Sequence, residues 1–384
     1  MLVHHVVPYL ETGGVQNLLL ELCPRLSKLD CETQIVCTVS PGPLYRHAEL
    51  SGIQVFSVND ARPKDRGLSW IQPKVVLRLA RHFRHHRPDI VQTHLFPAAV
   101  VGRIAARIAK TPVIIDTMHS TYSWKDRKFG VLLLDRFLAA RTDKILCNSK
   151  SVELFTQMQL RLPAHKMETL HLGIDTRKFR PLPREEIHAF KGHLGFSDHD
   201  IVLGCAARLV PHKRIMDAIS VLTVLGQKYS KLRLLVVGDG PMRNDLEQET
   251  RRHAVSRRVS FVGEQQGMCS FYNAMDVFLQ TSEREGFGLA MVEAMACGVP
   301  VVAANVGAIP EIVGEAGCGI LFPVGSIEAI AGAVESLLDS VELRRTIIAK
   351  ALASVSERFD IEVMTKKLMT FYRDLCNRKM GRNR

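Results

Sequence analysis

The chain has 384 residues, and none of its apolar runs reaches the roughly 18 residues needed to cross a membrane. Its nine cysteines lie apart with no Cys-x-x-Cys pair, which predicts free thiols in a reducing cytoplasm and no disulfide framework or zinc site. Aromatic residues make up 6% of the chain, and no aromatic-rich basic surface is recognisable, so nucleic-acid binding is not expected. The opening MLVHHVVPYL lacks the basic region of a signal peptide and predicts a first strand.

Common phosphate and metal motifs are missing as well. No G-x-G-x-x-G follows the first strand, which argues against a dinucleotide fingerprint, and there is no Walker A loop. The one Asp-x-Asp, Asp198 to Asp200, precedes a predicted strand instead of following one. We therefore predict no metal ligands, and we expect arginine, lysine and helix N-termini to meet the charge of an anionic ligand.

The sequence does contain two series of buried, β-branched runs that alternate with helical segments. This alternation is typical of parallel sheets covered on both faces. The series restarts after RPLPREE (180–186), so we predict an α/β fold with two doubly wound, Rossmann-like domains. The predicted domains span 1–180 and 181–360, and an amphipathic helix follows within 361–384. Ligands of such domains bind at the carboxyl ends of the strands, which here predicts a cleft that the two domains face.

The charge of the chain is concentrated in its first half. Residues 1–180 carry 26 Lys and Arg against 15 Asp and Glu, whereas residues 181–384 carry 25 against 24. A basic half indicates an acidic partner, such as an anionic membrane or a lipid phosphate. Nucleic acid would also match the charge, but the lack of an aromatic-rich binding surface argues against it. Two runs, 74–88 and 124–141, combine this basic character with an apolar stripe, as in helices that lie on anionic bilayers. The alternative is that both are core-packed helices with solvated charges.

The stretch SEREGFGLAMVEAMACGVPVVAANVGAIPEIV (282–313) places two acids beside several glycines. Residues 289–296 are strong helix formers, and Gly298 suits the left-handed position that ends a helix. EGFG then forms a strand-to-helix turn whose amides attract an anion. Glu285 on the turn and Glu293 inside the helix can reach one shared ligand. The alternative is an ordinary βαβ unit with two solvated acids.

Further candidate groups follow other predicted strands. ETGGVQN (11–17) is either an anion-binding helix start or a plain turn. In AARLVPHKR (206–214), Arg208 and Lys213 either close on a diphosphate or lie on a solvated loop. His94 and His119 end neighbouring strands and are either structural or catalytic. The glycine turn VVGDGP (236–241) is interpreted as structural.

Taken in order, these motifs resemble a known family. GGV, a strand-end histidine, HLGIDTRKFRP, AARLVPHKR, VVGDGP and the E-x7-E of EREGFGLAMVE are similar to the retaining family-4 glycosyltransferases of GT-B fold. The resemblance covers nearly the whole chain and is most specific over 170–324. It implies metal-independent transfer of a sugar, without a cofactor, from a nucleotide diphosphate sugar to an acceptor. It also implies that the first domain binds the acceptor, that the second binds the donor, and that the last helix returns to the first.

The resemblance assigns a role to each matching position. Glu293 would bind the donor ribose, and Glu285 would hold hydroxyls of the transferred sugar. Arg208 and Lys213 would neutralise the diphosphate, which Gly14 would approach, and the amides of Phe287, Gly288 and Leu289 would line the sugar and phosphate. His119 would contact the sugar near the reaction centre, and Gln16 and His94 are expected on the acceptor side. In this family Glu is common at the position of Gln16, and Gly at that of Arg214, where the arginine is expected to add a cation at the phosphates.

We expect UDP as the nucleotide in preference to GDP or ADP. The two basic runs, 74–88 and 124–141, favour a lipid-linked acceptor, and a polysaccharide or glycoconjugate acceptor is the other expectation. We therefore predict a hexosyl- or glycosyltransferase of cell-envelope or exopolysaccharide synthesis, cytoplasmic and peripheral on the inner face of the cytoplasmic membrane. Two other functions remain open. A non-hydrolysing nucleotide-sugar epimerase shares the two-domain architecture but lacks the Arg-x4-Lys and E-x7-E pairing. A nucleotide-sugar sensor or scaffold without activity is the second, although every expected charged contact to the donor is present.

Overall fold

The computed structural model describes residues 1–11, 13–58, 72–121, 129–314 and 316–381. Thr12 of the ETGGVQN motif, residues 124–128 of the second basic run and residues 382–384 of the last helix lie outside them. The chain forms two compact units, one of Met1–Gly173 with Ile361–Arg384, and the other of Ile174–Asp360. Each unit is described by itself below.

The first unit is built on one parallel sheet. Its described strands are β1 (Leu2–Val7), β2 (Glu32–Cys37), β3 (Gln54–Ser57), β4 (Ile90–His94), β5 (Val113–Met118), β6 (Lys144–Cys147) and β7 (Met167–Thr169). Their order in the sheet is β3-β2-β1-β4-β5-β6-β7. The described helices before the second unit are α1 (Gly14–Ser27), α2 (Tyr45–Leu50), α3 (Pro73–His86), α4 (Ala98–Ala109), α5 (Phe129–Arg141) and α6 (Lys150–Leu160). Strand β7 is not predicted, because its three residues, Met-Glu-Thr, form no apolar run.

The second unit repeats this architecture. Its strands are β8 (Ile201–Ala206), β9 (Leu232–Val237), β10 (Val259–Gly263), β11 (Val277–Gln280), β12 (Val301–Ala304) and β13 (Gly319–Phe322), in the order β10-β9-β8-β11-β12-β13. Its helices are α7 (Arg184–His193), α8 (Ile215–Leu225), α9 (Arg243–Arg252), α10 (Met268–Asn273), α11 (Leu289–Ala296), α12 (Ile327–Asp339) and α13 (Val341–Arg358). All six strands fall within the second predicted series of runs, which is DIVLGCAAR, LRLLVVG, VSFVG, DVFLQTS, VPVVAANV and GILFPV. The prediction of two parallel α/β sheets is confirmed.

Helix α14 (Ile361–Gly381) belongs to the first unit although it ends the described chain. The ring of Tyr372 is fully buried, and its hydroxyl donates to Oε1 of Gln92 on β4. Met364 Sδ accepts a hydrogen bond from the backbone of Gly173 at 3.0 Å. Each large apolar side chain buried in this way stabilises the fold by roughly 1.5–3 kcal/mol. The packing of α14 therefore fixes it against the sheet at its central strand, β4, through Gln92.

Most of the first basic run forms helix α3, and the packing of this helix shows which of its faces is exposed to solvent. Its apolar stripe of Val75, Val76, Leu79 and Phe83 is buried in the core of the first unit. That stripe is therefore not available to a bilayer, and of the two interpretations left open for this run, the core-packed helix with solvated charges holds for α3. The exposed face keeps its cations, which are Lys74, Arg78, Arg81 and Arg84. Within the described part of the chain, no helix combines the length and apolar character needed to cross a membrane.

Candidate functional site

In the second unit, the loops after β8 and β11 meet at the carboxyl edge of the sheet, because these two strands are neighbours. The hydroxyl of Thr281 donates to the carbonyl oxygen of Lys213 at 2.8 Å. The backbone N–H of Glu283 donates to the carbonyl oxygen of His212 at 2.9 Å. These bonds hold the two predicted motifs, AARLVPHKR and EREGFG, side by side.

The side chains of Glu285 and Lys213 form an ion pair within this arrangement. Lys213 Nζ lies 2.6 Å from Glu285 Oε2, and Gln280 Nε2 donates to the same oxygen at 2.9 Å. The two ion-paired side chains are only 19% and 14% exposed, so the pair is poorly screened by solvent. The sequence singled out Glu285 and Lys213, and the structure brings them together. The sequence alone did not reveal Gln280, because a single glutamine in a buried strand carries no recognisable signal.

The backbone of Glu285 is fixed by Gly307, which follows β12. Gly307 has φ +54°, and a Cβ atom at this position would lie 2.0 Å from the carbonyl oxygen of Glu285. Any side chain at position 307 would therefore displace the turn that carries the carboxylate. A similar close approach involves VVGDGP, where a Cβ atom on Gly238 would lie 2.0 Å from the carbonyl oxygen of Ala207. This agrees with the interpretation of that motif as a structural turn, which clears room for the loop that carries Arg208.

The two arginines of the β8 loop differ in their surroundings. Arg208 is exposed, and its guanidinium makes no hydrogen bond or ion pair with any described residue. The guanidinium of Arg214 instead donates two hydrogen bonds to the carboxylate of Asp217 on α8, from Nε at 2.8 Å and from Nη2 at 3.0 Å. Arg214 also has φ +50°, a left-handed conformation that glycine adopts without strain. The structure thus leaves Arg208 available to an anion and commits Arg214 to the start of a helix.

Helix α11 begins immediately after the EGFG turn. Gly288 is its N-cap residue with φ +94°, and Leu289 is the first helical residue. The ring of Phe287 is buried and packs edge-on against Phe359, so it anchors the turn. The first N–H groups of a helix have no partners within the helix and carry partial positive charge. The predicted contacts of these amides with sugar and phosphate stay predictions.

Glu293 lies one turn inside α11 and is held by α10. The hydroxyl of Tyr272 donates to Glu293 Oε2 at 2.6 Å. Burial raises the pKa of Glu293 to about 7, and the Tyr272 hydrogen bond and the charge of Lys178 offset only part of this rise. The carboxyl is therefore shared between its neutral and charged forms near neutral pH. Tyr272 is a site residue that the sequence did not reveal, because it lies on a separate helix.

In the first unit, α1 begins at Gly14, which is exposed. Gln16 is buried, and its side-chain amide donates weakly to the carbonyl oxygen of Tyr9 at 3.4 Å. A Cβ atom on Gly13 would lie 2.7 Å from Gln16 Oε1, so the double glycine makes room for this side chain. The side chain of Gln16 thus packs on the loop after β1. The predicted phosphate contact of Gly14 and acceptor contact of Gln16 stay predictions.

His94 and His119 lie together at the ends of β4 and β5, as their positions predict. His94 Nδ1 is 3.1 Å from His119 Nε2, and His94 Nε2 is 3.2 Å from Nδ1 of His5 on β1. Burial lowers the pKa of His5 and of His119 to about 4 and that of His94 well below its usual value. All three rings are therefore neutral at pH 7. They lie in a row, and in the described residues no group of three or more His, Cys, Asp or Glu is arranged to hold a metal ion.

Comparison with known proteins covers both units. A family model described as Glycosyl transferases group 1 matches residues 186–353, and one described as Glycosyltransferase Family 4 matches residues 12–178. An N-acetyl-alpha-D-glucosaminyl L-malate synthase from Bacillus anthracis is 28% identical over 303 residues, which cover 78% of each chain. The Escherichia coli UDP-Gal:alpha-D-GlcNAc-diphosphoundecaprenol alpha-1,3-galactosyltransferase is 25% identical over 381 residues, covering 96% of this chain and 95% of the relative.

A solved structure extends the likeness to the fold. The Anabaena protein HepE, crystallised with UDP and glucose, matches with a TM-score of 0.86 and 23% identity, over 97% of this chain and all of HepE. At this identity the match shows the fold alone. The predicted α/β fold of the GT-B class is confirmed.

Proposed function

Since this chain belongs to the family Glycosyl transferases group 1 and is a glycosyltransferase, we propose that it takes a sugar from a nucleotide diphosphate sugar, with UDP preferred over GDP or ADP. We also propose that transfer proceeds with retention of the anomeric configuration and without a metal ion or other cofactor. The observation that carries this proposal is the cluster at the carboxyl edge of the second sheet. There, a lysine-bound carboxylate, an exposed arginine and a helix N-terminus lie on neighbouring loops.

Each group of this cluster suits one part of a nucleotide sugar. Arg208 and Lys213 supply positive charge for the diphosphate, which gains charge when its bond to the sugar breaks. Glu285, which Lys213 and Gln280 hold in place, accepts hydrogen bonds from sugar hydroxyls. Glu293 lies one turn further into α11 and accepts from the ribose hydroxyls. In the first unit, His119 contacts a hydroxyl of a bound sugar.

Turnover of a panel of UDP, GDP and ADP sugars tests the donor and metal proposals together. We expect release of the nucleoside diphosphate from a UDP sugar at a rate that EDTA does not change, because protein cations and helix amides meet the developing charge. NMR of the product should show the anomeric configuration of the donor. Loss of turnover on chelation that Mn²⁺ restores would contradict metal independence. Stabilisation by nucleotides without any turnover would favour the alternative of an inactive sensor.

For the acceptor, we propose a saccharide or glycoconjugate linked to a lipid, used at the inner face of the cytoplasmic membrane in cell-envelope or exopolysaccharide synthesis. The name of the E. coli relative describes an acceptor sugar on diphosphoundecaprenol, which supports this choice. The surface of the first unit supports it as well. Helix α3 exposes the cations Arg78, Arg81 and Arg84. Helix α5 exposes Leu133 and Phe137, one turn apart, at 47% and 52%.

Vesicle co-sedimentation tests the membrane proposal. We expect the protein to bind anionic vesicles more strongly than neutral ones and to be released by salt, since each cation near the surface adds roughly 1 kcal/mol. Changing Arg81, Arg84 and Arg87 to Glu should reduce binding, because it reverses three exposed charges. The matched control changes three exposed arginines of the second unit, Arg251, Arg252 and Arg257, to Glu. Equal binding to neutral and anionic vesicles, or none to either, would favour an acceptor in solution.

A further inference from the structure

Three histidines from three neighbouring strands form a hydrogen-bonded row inside the first unit. β1, β4 and β5 are adjacent in the sheet and contribute His5, His94 and His119. The ring nitrogens are separated by 3.2 Å between His5 and His94 and by 3.1 Å between His94 and His119. His5 and His94 are 0% and 4% exposed, so water does not compete for these contacts.

Counting protons shows that the two ends of this row are coupled. A neutral imidazole has one N–H donor and one lone-pair acceptor. Three neutral rings carry three ring protons, of which two make the contacts between neighbours. The third proton lies on an end of the row, either on Nδ1 of His119 or on Nε2 of His5. The tautomer of His94 therefore sets the tautomer of His119, and both change together.

The end of the row at His119 faces a small cavity. His119 Nδ1 and the side-chain oxygen of Asn148 are buried and have no hydrogen-bond partner among the described residues. Both residues line a cavity of about 20 Å³ in the first unit. Asn148 also donates to the carbonyl oxygen of His119 at 2.9 Å, which fixes the backbone of that residue. The ring of His119 thus has one nitrogen held by His94, whereas the other is buried and has no hydrogen-bond partner among the described residues.

We propose that His94, supported by His5, is a positioning residue that fixes the ring orientation of His119 and couples its tautomer to that of His5. This inference rests on the proposed function, in which His119 contacts a hydroxyl of a bound sugar. Both ring nitrogens of His94 are engaged by other histidines, so the proposal gives His94 an indirect role, and its predicted place on the acceptor side stays a prediction. In this proposal His94 acts on the substrate through the ring of His119.

Three substitutions of His94 separate positioning from mere core packing. The amide of Asn reaches close to the position of Nδ1 and can keep the contact to His119. The amide of Gln reaches close to the position of Nε2 and can keep only the contact to His5, whereas Leu keeps neither. We expect His94→Asn to retain most of the wild-type kcat. His94→Gln and His94→Leu should lower kcat about tenfold with an unchanged KM for the donor, as for one hydrogen bond needed in the transition state.

The comparison between Asn and Gln remains informative if Leu impairs folding, because both amides are polar and each keeps one contact. A ranking with Asn far above Gln supports positioning. Equal kcat values for Asn and Gln, or a Leu variant as active as wild type, would overturn it.

A second measurement needs no activity. ¹⁵N NMR of the ligand-free, histidine-labelled protein reports the tautomer of His119. The signals of His119 are assigned as those missing from the spectrum of His119→Gln. The spectrum of His5→Gln identifies the signals of His5. In the wild type we expect His5 and His119 to show the same tautomer, or the same proportions of the two, because the row couples them. In His94→Leu we expect the proportions for the two rings to differ. Equal proportions retained in His94→Leu would overturn the proposal. If no nucleotide sugar is turned over, the proposed function fails, and the spectra still decide whether His94 positions His119.

Discussion

Replacing Arg208 by alanine should lower kcat by about a hundredfold or more while leaving thermal stability unchanged, as for removal of one donor that meets transition-state charge. The side chain of Arg208 is exposed and makes no hydrogen bond or ion pair with any described residue, so its removal breaks no polar contact of the fold. Any large loss must then come from the ligand. Steady-state kinetics with the preferred nucleotide sugar, together with thermal melts, measure both quantities.

Arg257→Ala is the matched control for this experiment. Arg257 lies in the same unit, is also exposed and makes no side-chain hydrogen bond or ion pair with another described residue. It lies before β10 and outside the strand-end cluster. It should leave kcat at the wild-type value. Arg208→Lys should recover part of the loss, because lysine restores the charge but not the planar fork. Wild-type kcat in Arg208→Ala would remove this residue from the proposed diphosphate site.

Affinity for a nucleotide sugar should rise about tenfold between pH 6 and pH 8, because burial places the pKa of Glu293 at about 7. Below this pKa the carboxyl is mostly protonated and accepts poorly from the ribose hydroxyls. Above it the carboxylate is the main form, and the hydrogen bonds to it are stronger. Calorimetry with an intact nucleotide sugar is the suitable measurement, since the free diphosphate would itself gain a proton in this range.

Glu293→Gln should abolish most of this pH dependence and bind at a level close to that of the wild type at pH 6. The glutamine is similar in size and can still accept from Tyr272, so the fold should be kept. Glu285→Gln is the companion variant. It should mainly lower kcat, because Glu285 lies at the turn with Lys213 and not at the predicted ribose position. A wild-type pH profile in Glu293→Gln would show that this carboxyl does not face the nucleotide.

The sequence by itself determined the fold class, the order of the elements and most of the candidate site. Strand runs such as IVLGCA and helix formers such as LAMVEAMA are local signals, and a chain that alternates them has few arrangements open to it. Strand-end motifs could be found because ligands collect at the carboxyl edge of parallel sheets. For that reason Arg208, Lys213, Glu285 and Glu293 were identified without the structure. The start of α11 at Leu289 and the left-handed Gly298 also follow from local propensity.

Which side chains hold these residues by hydrogen bonds, and which surfaces stay exposed to solvent, could be seen only in the folded protein. Gln280, Tyr272 and His5 each lie on an element distant in sequence from the group they hold, so no spacing rule reveals them. The sequence of helix α3 is compatible with a membrane-binding helix, yet its apolar stripe is buried in the core. The sequence could not decide between the two, because periodicity shows that one face is apolar but not what covers that face. Burial also sets the protonation of Glu293 and of the histidine row, since desolvation depends on neighbours that only the fold brings together.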